Sequence, residues 1–200
     1  MKKIYGVISD KHGKPIEGAF VALKDSHFED LYTTETGSDG SYELVAESKV
    51  YPYLIAVKDY AVHNLEFWCQ DLDLNDDLRV DACIDKLEVY GLKVFKVDGA
   101  YPAVMIYFRP MSLTKHLANA SDLFPDLKDM RVWMNQTESE IYAVNEVQEY
   151  VGDGKIVRAL LLHVSISKED LPKKNNYVVV QVVDAEGHLG QAATYFGFEK

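Results

Sequence analysis

Two short segments carry residues whose chemistry suits recognition of a polar, ring-shaped ligand. On A-V-M-I-Y-F-R, the side chains of Val104, Ile106 and Phe108 alternate with those of Tyr107 and Arg109. On M-R-V-W-M-N, Met130, Val132 and Met134 alternate with Arg131, Trp133 and Asn135. Alternate residues of a strand face opposite ways, so the apolar set in each segment points to a core and the other set points away from it. If the two strands share a sheet, Tyr107, Arg109, Arg131, Trp133 and Asn135 form one aromatic and guanidinium platform. Aromatic rings stack on the apolar faces of sugars, while guanidinium and amide groups bond sugar hydroxyls, so such a platform suits a glycan. The same residues also suit a protein interface, within the chain or between subunits, or a simple core on the sheet's second face, because outward tryptophans commonly lie under a partner or a loop. Trp68 repeats the pattern, opposing Leu65 and Phe67.

Other constellations are poorer in chemistry. The run D-L-D-L-N-D-D-L-R-V-D offers Asp71, Asp73 and Asn75 to a hard cation. It departs from a calcium loop where Asp76 replaces the required glycine and Ala82 the bidentate glutamate. Alternation with Leu72 and Leu74 reads instead as a strand with Asp71 and Asp73 in water, a charged edge that discourages aggregation. No metal or other cofactor is expected. Cys69 and Cys83 flank an expected hairpin centred near Asn75-Asp76-Asp77, but periodicity puts them on opposite faces, which favours two reduced thiols. The sequence contains no nucleophile elbow, phosphate loop or H-E-x-x-H, and the six histidines are scattered singly. His163, in L-L-L-H-V-S-I, reads as a partly buried, hydrogen-bonded strand residue rather than a base. A non-enzymatic role follows.

The elements that must position these residues are strands separated by specific turns. His12-Gly13-Lys14-Pro15 and Glu17-Gly18 supply positive-φ glycines and a fixed-φ proline. Ser38-Asp39-Gly40-Ser41 reads as a tight hairpin leading to Tyr42 and Leu44 on one face and Glu43 on the other. The order G-K-P-I-E-G-A-x-V-x-L, T-x-T-G-x-D-G-x-Y-x-L and Y-L-I-A-V resembles the carboxypeptidase regulatory-like domain, a transthyretin-like β-sandwich, over residues 1–85. That family usually has glycine before the closing aromatic. Here Asp59 precedes Tyr60, and Asp tolerates the left-handed region. The resemblance implies a seven-stranded sandwich and a non-catalytic module.

Residues 86–200 are long enough for a second domain, with the boundary near Asp85-Lys86 and no Pro- or Ser-rich linker. About seven β-rich runs, with turns at Gly152-Asp153-Gly154 and Glu186-Gly187, point to another antiparallel sandwich. The ending V-V-V-Q-V-V-D-A-E-G-H-L-G-Q-A is similar, over about a dozen residues, to the last hairpin of bacterial immunoglobulin-like domains. A helical turn is expected only within residues 111–128. The fold class is therefore all-β, two antiparallel β-sandwiches of immunoglobulin-like or transthyretin-like type in tandem.

A net charge of −11 with four arginines argues against nucleic acid, which needs clustered cations. No apolar run approaches the length of a membrane span. Met1-Lys2-Lys3 leads straight into a strand, so the chain as given reads as cytoplasmic; as a clipped mature chain it would be extracellular. The expected role is a binding or accessory protein, with a glycan the leading small partner, a protein-docking scaffold the rival and an enzyme the third reading.

Overall fold

The computed structural model describes residues 1–97, 99, 102–171 and 173–197. Strands occupy β1 (Lys2–Ser9), β2 (Phe20–Lys24), β3 (Asp30–Glu35), β4 (Ser41–Ala46), β5 (Val50–Val57), β6 (Phe67–Asp73), β7 (Leu78–Arg79) and β8 (Ala82–Cys83). They continue with β9 (Leu87–Phe95), β10 (Ala103–Ser112), β11 (Leu127–Met134), β12 (Thr137–Ser139), β13 (Ile141–Gly152), β14 (Lys155–Ser165), β15 (Asn176–Asp184) and β16 (Leu189–Phe196). One short helix, α1 (Leu113–Leu117), falls inside the expected window, with the Ser112 hydroxyl accepting from Lys115 N–H. No helix among the described residues is long and apolar enough to cross a membrane. The fold is all-β.

The two sandwiches are not separate. One eight-stranded sheet, ordered β12-β11-β15-β16-β6-β5-β2-β3, runs through both, joined where Cys69 of β6 lies parallel to Ala193 of β16. The small sheet β4-β1-β7, with β8 also on β1, covers one end, and β13-β14-β10-β9 covers the other. They lie on opposite faces. Odd-numbered Phe67, Cys69 and Ala193 join the core shared with Ile4, Leu23 and Leu54, whereas Val178, Val180, Val182 and Ala192 join Val104, Ile106, Phe108 and Leu162. Because a strand has a side-chain period of two, a single sheet feeds two cores without a linker.

Local alternation matches expectation at many points. Tyr42 and Leu44 are buried and Glu43 exposed; Val104, Ile106 and Phe108 are buried, with Tyr107 and Arg109 opposed. Asp59 has φ +50°, and its carbonyl accepts from Val62 and His63 N–H, so the turn that favours glycine elsewhere is made by aspartate. Asp153 and Gly154, at φ +49° and +72°, close the β13–β14 hairpin.

Two expected hairpins are instead crossings between sheets. After the turn at Ser38–Gly40, β4 pairs with β1 rather than with β3. After Asn75–Asp77, β7 and β8 pair parallel with β1, not with β6. In each case the alternating apolar residues fill the same core from the opposite layer, a choice that turn residues cannot specify. Cys69 and Cys83 therefore sit in different sheets, both as free thiols.

Candidate functional site

The shared-sheet condition for the five-residue platform is not met. β10 pairs with β9 and β14, whereas β11 pairs with β12 and β15 in the other layer. Tyr107 and Arg109 lie on the outer face of the covering sheet, while Arg131 and Trp133 lie on the eight-stranded sheet with their apolar neighbours Val132 and Met134 turned towards the intervening core. Each strand's in-and-out pattern is as read from the sequence, but the two outward faces point away from each other across that core. Asn135 is a turn residue, with Asn135 and Gln136 at φ +48° and +71° in a two-residue β11–β12 loop. Its amide donates to Asn176 Oδ1 and accepts from Tyr177 N–H, both at 2.9 Å, so it ties the loop to β15.

Tyr107 and Arg109 are instead gathered with Glu149 and with aromatics centred on Trp68. The Tyr107 hydroxyl donates to Glu149 Oε2 at 2.5 Å, and Arg109 Nη1 reaches the same oxygen at 3.4 Å. Burial, then the Glu149 hydrogen bond, pushes the Tyr107 hydroxyl up to about 12. The Arg109 guanidinium lies 4.7 Å from the centre of the Tyr90 ring.

Trp68 collects three more rings. Phe28 stacks on it at 5.3 Å, while Tyr53 and Tyr90 meet it edge-on at 5.9 and 5.7 Å. The backbone arranges these contributors. Tyr53 on β5 is paired with Gln70 on β6, and Trp68 and Gln70 stand on one face two residues apart. In β9 a bulge at Gly91 (φ +66°) sets Arg109 against Tyr90 but Tyr107 against Lys93. The extra residue lets Tyr90 and Lys93 both point outward while Leu92 stays in the core. Phe28 reaches the cluster from the β2–β3 loop at φ +69°, an unusual conformation for a bulky residue. It also meets Tyr53 edge-on at 6.0 Å and carries the Lys24 ammonium, 4.2 Å from the ring centre and bonded to Asp30 Oδ1 at 2.5 Å.

Phe28, Tyr53, Trp68, Gln70, Tyr90, Gly91 and Lys93 line a cleft of about 250 Å³. Beneath it the Trp68 indole donates to Glu88 Oε1 at 2.9 Å. Glu88 is 1% exposed, and its Oε2 has no partner among the described residues. Burial first, and then Glu66, raise its carboxyl to about 7 despite the Trp68 hydrogen bond and Arg109. Close approach of β9 to the long sheet requires Gly190, where a Cβ would sit 2.8 Å from Leu87 Cβ.

Trp133 lies elsewhere, in an open groove of about 350 Å³ with Gln136, Tyr177, Val179, Gln181 and Gln191. Asp71 and Asp73 gather no metal-binding cluster, for no group of three or more His, Cys, Asp or Glu suited to an ion occurs among the described residues. His163 departs from its expected hydrogen bonding: its ring packs edge-on against Tyr142 at 5.4 Å, and its buried Nε2 has no partner among the described residues.

Of the cleft, sequence reasoning found Trp68 and, at its border, Tyr107 and Arg109. It missed Phe28, Tyr53, Gln70, Tyr90, Lys93 and Glu88. The one usable signal was Tyr90-Gly91 inside an otherwise regular strand, since an interior glycine often marks a bulge.

No protein-family profile matches the chain, and no curated protein does. Among solved structures, a candidate carbohydrate-binding protein of Bacteroides uniformis aligns over 98% of this chain and 99% of its own at 13% identity, with a TM-score of 0.36. A DUF3823 family protein of Bacteroides ovatus aligns over 97% and 98% at 11% identity and 0.32. The major pilin subunit of Bacillus cereus aligns over 98% of this chain and 68% of its own at 10% and 0.32. Similarity this distant transfers nothing to the present chain, whose reading rests on its own residues.

Proposed function

We propose that this is a non-catalytic binding protein that takes a carbohydrate at the Trp68 cleft. The observation that carries the reading is a recessed set of ring faces and edges, Phe28, Tyr53, Trp68 and Tyr90, set beside the Gln70 amide and the Lys93 ammonium. Stacked rings bind the C–H faces of a pyranose, and adjacent amide, ammonium and phenol groups bond its hydroxyls. Concave, mostly apolar sites with a few convergent polar groups are the usual form of a small-ligand site. The resemblance of residues 1–85 to a non-catalytic module points the same way.

A glycan array tests this with the whole protein, Tyr90→Ala and Trp133→Ala. Tyr90 is 39% exposed, so its loss removes a cleft wall without emptying a core. Binding abolished by Tyr90→Ala and kept by Trp133→Ala supports the cleft. The converse moves the site to the Trp133 groove, and absence of binding by the folded protein rejects the carbohydrate reading.

A second reading, docking of a protein strand, is favoured by β13. This twelve-residue strand ends the order β13-β14-β10-β9, and it exposes Tyr142, Val144, Tyr150 and Val151. Long exposed edges are templates for strand addition.

A further inference from the structure

Resting on the carbohydrate reading, we propose that the saccharide taken by the Trp68 cleft carries an anionic substituent, a carboxylate or sulfate, which Lys93 and Gln70 receive. The cleft is an exception to the charge of the chain. Acidic residues outnumber Lys and Arg by 32 to 21, yet among the residues lining this cleft Lys93 bears the sole charge and none is a carboxylate.

Lys93 is also unneutralised. Its Nζ donates to the Gln70 amide oxygen at 3.2 Å, and it forms no ion pair among the described residues. The two other cations at the border differ: Lys24 is paired with Asp30 and Arg109 with Glu149. Gln70 is 4% exposed yet lines the cleft, and its Nε2 donates to no described residue. The Gln70 oxygen already accepts from Lys93, while its amide N–H groups are left to donate. Two donors and no acceptor of full charge therefore converge beside the rings. Such a pair matches an anion set on a sugar ring better than a neutral hydroxyl, which asks for acceptors as well as donors. Glu88, behind Trp68, is buried and accepts the indole N–H, and Glu66, which interacts with Glu88 and Lys24, does not line the cleft.

The test is calorimetric titration of the whole protein with oligogalacturonate, with the same oligosaccharide as its neutral methyl ester, and with a sulfated oligosaccharide of similar length. An anionic sugar is expected to bind at least about tenfold more tightly than the ester, the worth of one charge-assisted hydrogen bond. That preference should collapse in Lys93→Gln and weaken with added salt. Preference for oligogalacturonate assigns a carboxylate, and preference for the sulfated chain a sulfate. Equal binding of acid and ester overturns the inference while leaving the carbohydrate reading intact. Binding of none of the three, in a protein that also binds no glycan on the array, rejects both.

Discussion

Trp68 and Trp133 occupy opposite faces of the same eight-stranded sheet, and their surroundings could hardly differ more. Trp68 lies where β9 passes the long sheet, so rings from β5, β9 and the β2–β3 loop converge on it and a buried carboxyl receives its N–H. Trp133 lies near the end of the sheet, beside Val179 and a row of glutamines, with its own hairpin turn as neighbour. Both tryptophans look alike along their strands. Phe28 and Tyr53 reach Trp68 from its own sheet, while Tyr90 and Glu88 reach it from β9 of the covering layer, so the ring cluster forms where the two layers meet.

The largest expected break in this comparison is the loss of either indole. Trp68→Ala should destabilise the fold by about 3 kcal/mol, because three ring contacts vanish and Glu88 loses its donor, whereas Trp133→Ala should cost about 1 kcal/mol. Urea denaturation of the two variants checks the ordering, and equal losses would remove the distinction between the two regions.

A similar magnitude is expected from pH. With its folded carboxyl raised to about 7 from an ordinary 4.5, Glu88 keeps its proton longer in the folded protein than in the unfolded one. Its contribution to stability is therefore greatest below 4.5, declines as pH rises through 7, and leaves a penalty of about 3 kcal/mol above that. Glu88→Gln should lift most of this penalty, so the variant gains on the parent at pH 8 and matches it near pH 4.5. Denaturation midpoints across that range would show the convergence, and a gap independent of pH would exclude Glu88 as its source.

Smaller effects sharpen the contrast between the two groups of outward residues. Asn135→Ala should cost about 2 kcal/mol, through two lost hydrogen bonds and a left-handed conformation that alanine resists, with no effect on cleft binding. Tyr107→Phe should cost about 1 kcal/mol, the worth of the bond to Glu149. Gly91→Ala should also cost about 1 kcal/mol, since φ +66° is the obstacle there and no atom lies within 4 Å of the added Cβ. Unlike Asn135→Ala, it should weaken binding at the cleft by displacing Tyr90 and Lys93, a difference that titration of both variants would reveal.

Much of the fold was legible residue by residue. Alternation placed Tyr42, Leu44, Val104, Ile106 and Phe108 in the cores, and Asp59 made its turn at positive φ. Turn residues were less informative about destination. Ser38–Gly40 and Asn75–Asp77 both reverse the chain, yet each delivers the next strand to another sheet. The Asn135-Gln136 loop went unseen because neither residue is glycine, and only Asn is a common occupant of the left-handed region. Of the cleft, Trp68 was visible as an outward ring, but Phe28, Tyr53 and Tyr90 carry no local mark that separates them from any other strand aromatic.

The sequence by itself determined the strands, many of their turns and, through the period of two, which side chains leave the core. These depend on steric preferences within a few residues. Only the tertiary structure decided which outward faces meet. Cys69 lies beside Ala193, and Trp68 bonds Glu88, because burial of two apolar layers on opposite faces of one sheet outweighs the entropy of closing long loops. That term is collective and nearly indifferent to residue identity, so it leaves no signature at the residues it brings together.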